Sequence, residues 1–276
     1  MFGHNEIAGA KHFAGEPTDT LLVTSVFYTL QGEGPFAGRP AVFVRLAKCQ
    51  LACSFCDTFF DHGDRLTFEQ IGRAAREAIW AWAAANEVAV ESSPILVITG
   101  GEPMLQPNLT RFLNSPSIQP FNTVQIESNG LILRDLPHNT HLVVSPKCAE
   151  KNGKPTHYLK PQYDTLMRAN TLKFVMSGDP GSPYFTVPYW ALQWMDITGG
   201  PVYVSPMNEY THYPDQSLER AGGDLKARTK GERVSFWEPG LLDLEKVRRN
   251  HEHAAAYCLR TGAFLTMQMQ LFAGLP

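Results

Sequence analysis

The sequence predicts an α/β protein with a mostly parallel sheet rolled into a full or partial (β/α) barrel. Three observations carry this. Short runs rich in β-branched and aromatic residues alternate with stretches of helical periodicity, the pattern of right-handed βαβ units. The chemically loaded segments QGEG, GGEP, ESNG, SPK and SPMN each follow such a run, as expected of a fold that gathers function at the carboxyl ends of its strands. A length of 276 residues is enough for one unit of this kind with insertions. The expected organisation is therefore a single domain over 1–276, with a polar arm over 1–20 and an inserted excursion over 207–238.

Residues 22–30 and 41–46 read as strands. Between them Gln31-Gly32-Glu33-Gly34-Pro35 reads as a loop. A helix is predicted over 67–86, where Thr67 and Gln70 fit a capping box and Phe68, Ile71, Ala75, Ile79 and Trp82 share one face. Residues 95–98 fit a buried strand, broken by Gly100-Gly101-Glu102-Pro103. Further strands are expected over 123–126, 142–144, 172–175 and 202–204. A helix is predicted over 241–257. His251 and His253, two apart on it, point in different directions and read as solvated surface rather than a metal pair.

Lys and Arg number 24 against 27 Asp and Glu, so nothing in the charge balance invites nucleic acid. No apolar run approaches the ~18 residues of a membrane span, and the opening stretch lacks the apolar core of a secretory signal. The chain is expected in the cytoplasm, without a membrane partner, where thiols stay reduced. Of its five cysteines, Cys148 and Cys258 stand alone and read as small buried hydrophobes. The other three, Cys49, Cys53 and Cys56, have the spacing C-x3-C-x2-C. Three thiolates on one loop can hold three irons of a [4Fe–4S] cubane, leaving the fourth open to a small molecule. The competing reading is a zinc site, whose fourth ligand would be a distant histidine.

This spacing resembles the signature of the radical S-adenosylmethionine (SAM) superfamily, and the expected fold becomes the partial (β/α) barrel of radical SAM type. The resemblance implies SAM chelated to the open iron and Phe55 beside its adenine. It implies further cofactor contacts from Cys56-Asp57, Gly101-Glu102, Glu127-Ser128, Ser145-Pro146-Lys147, Ser205, Met207 and Asn208. Apart from the rest, ESNG and SPK would be plain turns.

The stretch YTLQGEG, then GRP, FVRL and CDT, more closely resembles the 7-carboxy-7-deazaguanine synthase family. That resemblance is dense over 24–58 and patchy beyond. It implies ring contraction of 6-carboxy-5,6,7,8-tetrahydropterin to 7-carboxy-7-deazaguanine with release of ammonia. It also implies Mg2+ held by Thr58, a flavodoxin-like or other one-electron reductant, and a homodimer. For the pterin it implies contacts from Leu30, Gln31, Gly32, Glu33, Arg45, Thr99 and the terminal Pro276. These residue types suit the ligand: Gln31 has a two-sided amide for a ring edge, and Arg45 can grip a carboxylate by a fork of two hydrogen bonds. The alternative for Arg45 is a surface ion pair, for Thr58 a cap, and for Pro276 a free tail. The chain is longer than a compact member needs, and Gln50 stands where the family usually has asparagine. Two other functions compete: a radical SAM activase that makes a glycyl radical on a partner protein, and a non-catalytic zinc module.

Overall fold

The computed structural model describes residues 6–58, 60–209, 236–237 and 242–275. Strand β1 (Thr20–Leu30) turns back into β2 (Pro40–Leu46), and β3 (Asp64–Thr67) leads into helix α1 (Phe68–Asn86). Then come β4 (Ile95–Gly100), the short α2 (Leu109–Leu113), β5 (Val124–Ser128) and β6 (Thr140–Val144). A hairpin of β7 (Cys148–Lys151) and β8 (Lys154–Tyr158) and the short α3 (Tyr163–Arg168) precede β9 (Thr171–Met176). The series ends with α4 (Tyr189–Thr198), β10 (Val202–Pro206), α5 (Leu244–Thr261), β11 (Phe264–Leu265) and α6 (Met269–Ala273).

Among the described residues nine strands form one sheet in the order β11-β10-β9-β6-β5-β4-β2-β1-β3. It is open, with β11 and β3 at its edges, so the barrel is partial. From β2 to β11 every pairing is parallel, while β1 runs antiparallel to β2 and to β3. Alternation along each strand separates two faces. Val42, Val44, Leu46, Leu96, Ile98, Val124, Ile126, Leu142, Val144, Leu172, Phe174, Val202 and Val204 pack into the main core. The helices supply its other half: Ile71 and Ala75 from α1, Leu109 and Phe112 from α2, Ala191 and Trp194 from α4, Ala254 and Tyr257 from α5. Each of the larger apolar side chains among these contributes roughly 1.5–3 kcal/mol by leaving water. The opposite, inner face carries Arg45, Thr99, Glu127, Lys173 and Ser205, which line cavities.

The capping box at α1 forms as expected, with the Gln70 amide donating to Thr67 Oγ1 at 3.2 Å and the Thr67 amide to Gln70 Oε1 at 2.8 Å. Cys148 and Cys258 are buried.

Three expectations need correction. The QGEG loop does not sit with the other functional loops. Because β1 is antiparallel, with Leu30 paired to Pro40, the loop lies at the amino end of the parallel strands and reaches into the lumen from there. The histidines of α5 are half-buried rather than solvated: His253 stacks on Phe185 with ring centroids 4.1 Å apart, and its Nε2 lies 2.7 Å from the Phe185 carbonyl. The N-terminal arm is more than polar. Ala8 and Phe13 pack with Leu105 in a small core, and the Ala8 amide donates to the Cys49 carbonyl at 2.8 Å. Most of 207–238 lies outside the described residues.

Candidate functional site

The cysteine loop crosses the carboxyl end of the sheet between β2 and β3. Three neighbours brace it. The arm pairs Ile7 with Cys49. From the β7–β8 hairpin, Glu150 Oε1 accepts from the Ser54 amide at 2.9 Å and from its hydroxyl at 3.0 Å. From the GGEP loop, the Glu102 amide donates to Lys48 O at 2.8 Å and the Gly101 amide to Leu46 O at 2.9 Å. The glycines are required there. Gly100 has φ +128°, and a Cβ on Gly101 would lie 2.0 Å from Lys48 O.

Cys49, Cys53 and Cys56 border a cavity of about 210 Å³, together with Phe55, Gly101, Ser128, Asn129, Ser145, Lys147, Ser205, Met207 and Asn208. A second cavity of about 190 Å³ adjoins it, lined by Phe27, Leu30, Gln31, Gly32, Phe43, Arg45 and Gln270. Glu33, Asp57, Thr58, Thr99, Glu127, Lys173 and Gln268 border both. Nearly all the residues expected to bind therefore meet in one lumen, the cysteines at its carboxyl end and QGEG at its amino end.

Two of the expected cofactor residues turn away. The Glu102 carboxylate is fully buried and accepts from the Ser128 hydroxyl at 2.8 Å and from the amides of Asn129 at 2.7 Å and Met104 at 2.9 Å. It joins GGEP to ESNG, and Glu102 borders neither cavity. Burial pushes its pKa up, against those hydrogen bonds. Pro146 is buried and borders neither cavity. Pro276 lies outside the described residues.

Arg45 is half-buried and faces the second cavity. Its guanidinium lies 5.4 Å from the centre of the Phe27 ring and donates to Thr58 Oγ1 at 2.9 Å. Thr58 Oγ1 in turn lies 3.1 Å from Asp57 Oδ1.

Three thiols are the donors at the carboxyl end of the lumen. Burial pushes the Cys53 thiol up to about 11 and Cys56 to about 12, with Cys49 higher still. As free groups they are neutral thiols, and a metal must displace their protons. Among the described residues, no three Cys, His, Asp or Glu side chains converge on one point. A cubane takes one thiolate at each of three separate corners, and all three cysteines lie on one loop and border one cavity. The loop fits the cubane. Gln50 donates to Asn129 Oδ1 at 3.1 Å and so ties this loop to ESNG.

Sequence reasoning missed Lys173, which forms ion pairs inside the lumen. Its ammonium pairs with Glu33 at 2.8 Å and Glu127 at 2.5 Å. Burial opposes charge on Glu33 and Lys173, yet the Lys173 charge outweighs it and holds Glu33 below its ordinary pKa, while the two carboxylates raise that of Lys173. A lone lysine inside the apolar run Leu172–Phe174 was the available signal. Gln268 and Gln270 gave none. Gln268 donates to Asp57 at 3.2 Å and accepts from Asn208 at 2.7 Å, and the Met269 amide donates to the Gly32 carbonyl at 3.2 Å, so the α6 segment closes the lumen's side.

No protein-family model matches the chain. It is 34% identical over 248 residues to the 7-carboxy-7-deazaguanine synthase of Rickettsia prowazekii, covering 89% of this chain and 96% of that one. To the 7-carboxy-7-deazaguanine synthase of Rhodospirillum rubrum it is 34% identical over 228 residues, covering 76% and 83%. Among solved structures it is similar in fold to QueE from Escherichia coli, with a TM-score of 0.50 at 20% identity over 95% of this chain and 99% of that one.

Proposed function

The chain belongs to the 7-carboxy-7-deazaguanine synthases, and from that premise we propose how its own residues divide the reaction. It is a radical SAM enzyme that converts 6-carboxy-5,6,7,8-tetrahydropterin to 7-carboxy-7-deazaguanine with release of ammonia. The carrying observation is the 34% identity that spans 96% of the Rickettsia synthase. The activase and zinc-module readings are not favoured by these relatives. Among the described residues no helix is long and apolar enough to cross a membrane.

Cys49, Cys53 and Cys56 would hold three corners of the [4Fe–4S] cluster, and SAM would complete the fourth. When bound, this pair supplies the radical initiator of the ring contraction. Phe55 would flank the adenine. Its ring already packs edge-on against Tyr184 with centroids 5.0 Å apart, which limits its freedom before any ligand arrives. Gly101 would let backbone approach the methionine end of SAM. Glu127, Ser128, Ser145 and Lys147 would take its polar groups, with Asp57, Ser205, Met207 and Asn208 closing the wall.

The pterin would lie in the second cavity. Glu33 would accept from ring N–H groups and Gln31 would pair with the ring edge. Leu30, Gly32 and Thr99 would fix its plane. Arg45 would take the carboxylate by a fork, and Thr58 would hold Mg2+ beside it, where a hard cation binding few protein oxygens keeps several waters. Support for this division is the order of the cavities: the cysteines border one, Arg45 the other, and Thr58 both. We also propose a flavodoxin-like or other one-electron reductant and a homodimer.

The test is an anaerobic assay of reconstituted protein with SAM, a strong reductant and the carboxy-tetrahydropterin, with and without Mg2+. Product is identified by its ultraviolet spectrum and mass. Deazaguanine formation that rises with Mg2+ is expected. Iron-loaded protein that cleaves SAM but leaves the pterin unchanged would overturn the reading.

A further inference from the structure

No role above uses Lys173. It rises from the inner face of β9 between two carboxylates that arrive from different directions, Glu33 from the loop at the amino end of the sheet and Glu127 from β5. Glu33, Glu127 and Lys173 all border both cavities. The outer oxygens of the two carboxylates are also engaged. Glu33 Oε1 accepts from the Ser205 hydroxyl at 2.5 Å. Glu127 Oε1 accepts from Gln125 Nε2 at 2.7 Å and from Gln31 Nε2 at 3.4 Å.

We propose that Lys173 is a positioning residue that fixes Glu33 and Glu127 as ionised hydrogen-bond acceptors, one for the pterin and one for SAM, across the boundary shared by their two cavities. The inference rests on the assignment of Glu33 to the pterin and Glu127 to SAM. Both ligands present donors at these places, ring N–H groups and ribose hydroxyls, so both carboxylates must stay unprotonated to accept. Two carboxylates near one another in a buried lumen do not both stay ionised without a cation, because burial and like charge each favour the acid form. A protonated carboxyl turns one acceptor into a donor.

Among the described residues, Lys147 and Arg45 are the other cations that border these cavities. Lys147 also favours ionised Glu33 from across the lumen, but its ammonium is tied to the Ser145 carbonyl at 2.7 Å and the Ser145 hydroxyl at 2.6 Å and makes no direct bond to either carboxylate. Arg45 lies over Phe27 and against Thr58. Lysine suits the place because a compact ammonium has three donors that can be shared between two acceptors.

The experiment compares wild type, Lys173→Met and Lys173→Arg, each reconstituted and kept with its cluster oxidised so that no turnover occurs. Calorimetry gives the affinity for SAM alone and for the carboxy-tetrahydropterin alone between about pH 6 and 9. In Lys173→Met both affinities should fall at least ~10-fold near neutral pH and recover in part as pH rises, because the proton taken up by the carboxylate pair is lost again. Lys173→Arg, which keeps the charge, should stay within about 5-fold of wild type for both ligands. Overturning results are a normal affinity for either ligand in Lys173→Met, or a loss that is the same at every pH. Should Lys173→Met fail to fold or to load iron, Lys173→Arg decides: a loss beyond about 10-fold for either ligand with its cluster intact overturns the proposal. Wild type serves as the control for the function itself. If wild type does not bind the pterin, the functional reading fails; if it binds and Lys173→Met binds equally well, only the role of Lys173 does.

Discussion

Gly101→Ala should uncouple the GGEP loop from the cysteine loop. A Cβ there would lie 2.0 Å from Lys48 O, 2.4 Å from Lys48 C and 3.0 Å from Cys49 N. All three are backbone atoms, so no side chain can swing aside. Reaching even 3.0 Å from Lys48 O requires the two backbones to part by about 1.0 Å. The bonds lost are those between the loops, Gly101 N to Leu46 O at 2.9 Å and Glu102 N to Lys48 O at 2.8 Å. Leaving such buried groups unpaired costs about 1–3 kcal/mol each, or about 2–6 kcal/mol together. At ~2–4 °C per kcal/mol, the melting temperature of the iron-free chain should fall by roughly 4–24 °C. Cys49 moves with Lys48, so iron and sulfide per chain after anaerobic reconstitution should fall below half of the wild-type content. An alanine variant that melts with wild type and loads the same iron would refute the close-approach argument.

Arg45→Ala should weaken the carboxylated pterin by about 10–100-fold, the equivalent of ~1.5–3 kcal/mol for a charge-assisted hydrogen bond. Affinity for tetrahydropterin lacking the carboxylate should not change; equal losses for both would show that Arg45 does not read that group. Glu33→Gln tests the lumen's electrostatics through stability. The Lys173 charge, overcoming burial, holds Glu33 below its ordinary value of 4.5. A depressed carboxylate adds stability that is fully present above its unfolded pKa and is lost as pH falls through the folded value. Urea midpoints of wild type should therefore drop as pH falls below 4.5, and the Gln variant should lose less over that range; parallel slopes would count against the ion pair.

Much of the site was legible because its chemistry is local. C-x3-C-x2-C places three thiols on one loop whatever the rest of the chain does. Gly100-Gly101 announces a close backbone approach, and the approach is found against Lys48. Capping of α1 was equally readable, since Thr67 and Gln70 satisfy each other's amides within one turn. The charged partner of the lumen was not. Glu33 and Lys173 are 140 residues apart, and no local pattern couples them. The partners of Glu102 were hidden for a related reason: its position in the motif is local, but Ser128 and Asn129 belong to the end of another strand.

By itself, then, the sequence determined which residues can carry the chemistry, because ligand type, spacing and backbone freedom are properties of short segments. Only the tertiary structure decided where they meet. The antiparallel course of β1 sends QGEG into the lumen from the amino end, and the register of the parallel strands sets Arg45 beside Thr99. Long-range strand pairing fixes both, and it depends on how the apolar faces of distant segments bury one another.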